Sequence, residues 1–193
     1  MRVKIRDGVK NRLALGHSFG TMLLMSEFKR NVFLSGHVRK FLVVVEEDAP
    51  EVEAALAFAA NRVRRTGGMI TMLYVIAPGD YQHWLGVKEI QREEAQQKAK
   101  AVFRLFKRKL KTSGFEDIEV EEIVREGKKA EEISRLIESD EDIAIIVLGA
   151  SSEQSGPGPL ITNLFTGSKA GNFPIPISII PGNLSWDDIT SLA

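Results

Sequence analysis

From Lys40 onward, short apolar runs alternate with stretches whose apolar residues recur every three or four positions. That alternation predicts strands and covering helices wound into a parallel sheet. Phe41-Leu42-Val43-Val44-Val45 is apolar without a break, which predicts a central strand buried on both faces. Pro50 suits a helix start, and Val52, Ala55, Leu56, Ala59 and Val63 follow at helical spacing until Gly67-Gly68 stops the pattern.

A second strand is expected over Met69 to Ile76, closed by Pro78-Gly79. Val87 to Thr112 is charged and has no internal Gly or Pro, so it reads as one long helix with Ala95, Ala99, Val102, Phe103, Phe106 and Leu110 facing inward. The third strand, Ile118 to Val124, carries apolar residues among acids and should be more exposed. A helix over Lys128 to Glu138 buries Ile133, Leu136 and Ile137. Ile143 to Leu148 is again continuously apolar and should be central. A small-residue loop, Ala150 to Gly158, leads to a short helix from Pro159, then to a last strand over Ile175 to Ile180. Ser185 and Asp188 have the spacing of a capping box, which predicts a terminal helix over Trp186 to Leu192. The fold class is therefore α/β, an open parallel five-stranded sheet with helices on both faces. The expected organisation is a poorly ordered basic leader over 1–38, one domain over 39–182, and a tail with a short helix over 183–193.

Composition narrows the function classes. The 26 basic and 26 acidic side chains cancel, so no net positive field gathers nucleic acid or anionic membrane. With no cysteine, disulfides, thiolate nucleophiles and thiolate metal sites are excluded, and a reducing, cytoplasmic setting is expected. No apolar run reaches the ~20 residues of a membrane span. Met1 to Leu24 is basic but lacks the apolar segment and cleavage site of a secretory signal; an organelle transit peptide shares its bias.

Certain segments resemble the universal stress protein family. They are Val43-Val44-Val45-Glu46-Glu47-Asp48, then Glu51-Val52-Glu53-Ala54-Ala55-Leu56, the run from Val124 through Lys128-Lys129 to Ile133, and Val147-Leu148-Gly149. The likeness extends from Arg39 to Pro181. It implies a flavodoxin-like or Rossmann-like sheet, a homodimer joined through the last strand, and in many members an adenine nucleotide, ATP or AMP. Such ligands sit at the carboxyl ends of the strands where strand order reverses, a place that includes Val45, Glu46, Ile76 and Gly149.

Nucleotide-binding members follow the fourth strand with a glycine, two residues, a second glycine, nine residues, then Gly with Ser or Thr. Here Gly149 matches the first glycine, but Ser152 stands at the second, and the 14 residues Glu153 to Thr166 precede Gly167-Ser168. Only Pro159 opens a helix after this strand, so the expected phosphate cradle moves to the amides of Ser155 to Leu160, with Gly156 and Gly158, and to the hydroxyls of Ser151, Ser152 and Ser155. The bland alternative is a connection that needs turn residues. At Glu46 or Glu47 the family usually has an aspartate; Glu46, favoured by strand register, is positioned to accept from an amino or ribose hydroxyl group. As a plain alternative, acids are routine before a helix N-terminus.

His83 and Trp84 have no catalytic partner placed by sequence, His17 and His37 are assigned no role, and the lysines and arginines late in the long helix read as a solvated face. The loop serines lack nucleophile-elbow spacing. The expectation is a regulatory, stress-response binding module and not an enzyme. The alternatives are a protein-interaction member without nucleotide, or a slow ATPase or nucleotidyl transferase. No His-rich phosphate motif follows the first strand to support the last.

Overall fold

The structure, a computed structural model, describes residues 36–47, 49–78, 85–152, 156–165 and 173–193, with side chains from 89 onward in its second helix. Residues 1–35 of the expected leader, His83, Trp84, Ser155 and Gly167-Ser168 lie outside the described residues. In chain order the elements are β1 (Lys40–Val44), α1 (Glu51–Thr66), β2 (Met69–Ile76), α2 (Leu85–Thr112), β3 (Val120–Glu126), α3 (Lys129–Ser139), β4 (Ile143–Ala150), α4 (Pro159–Phe165), β5 (Ile177–Pro181) and α5 (Trp186–Leu192). All five strands are parallel, in the order β3-β2-β1-β4-β5.

Strand alternation sends the β1 side chains into two separate cores. Phe41, Val43 and Val45 join the apolar faces of α1 and α2, while Leu42 and Val44 join α3 and α4. β1, β2 and β4 are buried on both faces because a helix layer covers each side, which is why their sequences read as unbroken apolar runs. β3 is an edge and keeps its polar residues in water.

Both edge strands differ from their expected bounds, α2 starts two residues earlier, at Leu85, and β4 runs two residues further, to Ala150. β3 runs two residues later, because a turn in which the Ile118 amide donates to the Phe115 carbonyl occupies its predicted start, and because β2 extends to Ile76, whose pairing partner is Glu126. On an edge strand the ladder partner, and not side-chain polarity, decides where the strand ends. β5 likewise starts at Ile177, although the Pro176 carbonyl already accepts from the Ile146 amide, and it runs through Pro181 opposite Ala150. Proline can end the ladder because its carbonyl still accepts.

The terminal helix is capped as its spacing predicts. The Ser185 hydroxyl accepts from the Asp188 amide at 3.2 Å, and the Asp188 carboxylate accepts from the Ser185 amide at 3.1 Å. The Ser185 hydroxyl also donates to the Asp188 carboxylate at 2.7 Å; that bond first, and the amide bond after it, hold the Asp188 carboxyl below its ordinary pKa. α5 lies on α1: Ile189 is buried in the first core, the Asn61 amide donates to Thr190 Oγ1, and Trp186 packs on Phe115 beneath the Arg64 guanidinium. β4 is the strand paired to β5, whose outer edge is unpaired among the described residues.

At the amino end of the sheet the Lys40 ammonium lies 2.9 Å from Asp140 and 3.0 Å from Glu121. Burial is the largest single influence and lowers its pKa, but the hydrogen bonds and charges of the two carboxylates together outweigh it, so Lys40 is held above its ordinary value. A folded pKa above the unfolded one means stability that is complete below about pH 10.4 and is lost as pH rises through the folded value. The urea midpoint of Lys40→Met should therefore fall less steeply than that of the wild type above about pH 10. Parallel midpoints for the two proteins would show that Lys40 carries no such linkage.

Candidate functional site

In this strand order the chain leaves β1 toward β2 and β3, then crosses back to place β4 on the other side of β1. The connections after β1 and β4 therefore diverge and leave a crevice between their carboxyl ends. A cavity of about 530 Å³ occupies it, within the range of small-molecule sites. Its floor is apolar, from Val44, Leu148 and Ile161, all buried. Its walls come from the starts of three helices: Glu51 and Val52 of α1, Lys129, Ala130 and Glu131 of α3, and Pro159, Leu160 and Asn163 of α4.

Polar groups gather on one side. Glu46 follows β1, and its carboxylate forms an ion pair with the Lys129 ammonium on the first turn of α3. Gly127 makes the turn that brings Lys128 and Lys129 there: its amide donates to the Ile76 carbonyl at 2.9 Å, and at its φ of 152° an added Cβ would lie 2.8 Å from the Glu132 carboxylate. Lys128 bridges loosely to Glu131 at 3.5 Å. The acids are felt beyond the cavity: burial first, then the Glu47 and Glu46 charges, pushes the Tyr74 phenol above its ordinary pKa.

The sequence-predicted site residues divide. Glu46, Gly149 and Gly158 line the cavity. Val45 is buried in the first core, and its neighbour Val44 faces the cavity instead, as strand alternation requires. Ile76 is not among the lining residues; it borders a separate depression with Arg92, Gln96, Lys100 and Arg125. Gly156 is not in the wall either. The Ser151 amide donates to the Pro157 carbonyl and closes the loop on itself, while Ser152 is described but outside the wall. Gly149 has a packing reason to be glycine: an added Cβ would collide with the Glu51 carbonyl and lie 2.9 Å from the Glu51 Cβ.

Pro157 and Pro159 have no N–H, so between Gly156 and Leu160 the loop offers the amides of Gly156, Gly158 and Leu160 only. Asn163, which counted from Pro159 stands at the family's Gly-Ser place, lines the cavity, whereas Lys129 and Ala130 are unassigned by the sequence, although Lys128-Lys129 lies within a segment that carried the family resemblance. Its signal was a basic pair directly after a glycine turn.

Among the described residues no group of His, Asp and Glu is arranged to hold a metal ion, and no helix is long and apolar enough to cross a membrane. The universal stress protein family profile matches residues 37–180. The fold is similar to that of universal stress protein UspA from Lactobacillus plantarum, at 18% identity and a TM-score of 0.58 over 75% of this chain and 98% of that one. It is similar also to a universal stress protein from Archaeoglobus fulgidus, at 18% identity and a TM-score of 0.57 over 78% and 99%. A further similar structure is the Archaeoglobus fulgidus universal stress protein in complex with dAMP, at 17% identity and a TM-score of 0.53 over 74% and 97%. Identities this low establish the shared fold. No curated protein matches the chain significantly in sequence.

Proposed function

The chain belongs to the universal stress protein family, and on that premise we propose that it is a dimeric regulatory module that binds an adenine nucleotide in the crevice between β1 and β4. The observation that carries this reading is the cavity itself, which combines an apolar floor wide enough for a purine with a carboxylate, Glu46, set to accept from ribose hydroxyls. The dAMP held by the Archaeoglobus fulgidus relative supports the ligand class. The module is not a catalyst in this reading: Glu46 is tied to Lys129, and among the described residues of the wall no nucleophile stands beside a base.

A specific observation favours a second reading, a protein-interaction member that has given up its nucleotide. The two prolines thin the amide cradle that a triphosphate needs. Mass spectrometry of the small molecules released by denaturing purified protein separates the two. AMP or ATP near one per chain is the result expected here, and a preparation free of nucleotide favours the interaction reading.

For the dimer, the open edge of β5 supports a two-fold partner, since Ile179 is exposed there and an uncovered apolar edge invites pairing. Light scattering should return twice the chain mass of 21.4 kDa.

A further inference from the structure

Resting on the cavity reading above, we propose that the anionic group of the ligand is held by the Lys129 side chain on α3, and not by backbone amides of the loop after β4. The described part of the loop is poorly equipped for the task. Pro157 and Pro159 bring no donors, and the Ser151 amide is already given to the Pro157 carbonyl at 3.2 Å. Lys129 is well equipped. It lines the cavity, and its ammonium has three donors, of which one suffices for Glu46. The remaining donors can take phosphate oxygens.

Accessibility fits this exchange. The side chains of Lys129 and Glu46 are 37% and 34% exposed, so a ligand reaches both without opening either core. Charge limits what enters. Among the described residues around the cavity, Glu46, Glu51 and Glu131 face Lys128 and Lys129, an excess of one negative charge. A ligand with a single phosphate group meets one lysine at tolerable cost, whereas a triphosphate adds charge beside three carboxylates. The class selected is therefore a nucleoside monophosphate.

The test is calorimetric titration of AMP and of adenosine into wild type, Lys129→Ala and Lys129→Arg, with melting temperatures to confirm equal folding. Loss of one charge-assisted contact should weaken AMP about tenfold to a hundredfold in Lys129→Ala, while adenosine changes by less than about twofold. Lys129→Arg should retain most of the AMP affinity, because the guanidinium also pairs with phosphate. If adenosine and AMP bind the wild type but lose affinity together, or AMP is unaffected in Lys129→Ala, the lysine assignment is overturned and the cavity stands. If neither ligand binds the wild type, the cavity reading fails and this one with it.

Discussion

Gly149→Val is expected to cost about 3 kcal/mol or more of stability, or about 10 °C of melting temperature. Gly149 lies in β4 opposite Ile180, directly beneath the first turn of α1. The atoms an added Cβ would meet are the Glu51 carbonyl group and the Glu51 Cβ, neither of which can rotate aside. Relief requires lifting the start of α1, a helix that buries Val52, Leu56 and Val63 together with five alanines in the first core. Gly182 meets the same helix, with an added Cβ 2.7 Å from the Glu51 Cβ, so the close approach involves both β4 and the turn after β5. Gly156→Val is the comparison, since no atom of the described residues lies within 4 Å of its added Cβ and its φ of 114° is what opposes a side chain. It should cost clearly less. Equal melting temperatures for Gly149→Val and wild type would show that α1 does not sit on β4 as described.

Leu42→Ala should lose about 2 to 5 kcal/mol, a large share of the stability of an ordinary domain. Leu42 is fully buried on the central strand and pairs in register with Thr71 on one side and Ile146 on the other. Its side chain joins the second core, beside Ile133, Ile137 and Ile146, all fully buried as well. Removing it leaves a cavity between a rigid three-strand centre and α3, where neither layer can close in without disturbing the other. Val124→Ala, at an exposed position of the edge strand β3, should change stability by less than about 0.5 kcal/mol. Urea melts of the pair check this. A similar loss at both positions would mean that the distinction between centre and edge is misplaced.

The fold was legible in the sequence for a physical reason. β1, β2 and β4 are covered on both faces, so burial wrote unbroken apolar runs into them, and α1, α2 and α3 each carry one apolar stripe. Where burial is partial the signal weakens. β3 is an edge strand whose polar residues Arg125 and Glu126 pair with Val75 and Ile76 all the same, and nothing in their own chemistry announces it. β5 was misplaced by two residues at its start, because Ile175 is as apolar as a strand residue yet is buried ahead of the ladder.

The site was legible only in part. Glu46, Gly149 and Gly158 could be found because strand ends and glycines mark positions near a crevice. The choice of Val44 over Val45 depends on the phase of strand alternation, which a run of consecutive valines conceals. Lys129 was hidden for another reason: it is 83 positions from Glu46 in the chain, and only the crossover of α3 beside β1 makes them partners.

Whether the crevice between β1 and β4 takes a purine is decided by titrating AMP into wild type and into Ala130→Trp. Ala130 lines the cavity at the start of α3 and packs against the second core, so an indole there would fill space a purine needs. The account predicts saturable binding of about one AMP per chain to the wild type and none to a folded Ala130→Trp. Equal binding by both proteins, or no binding by the wild type, would contradict it.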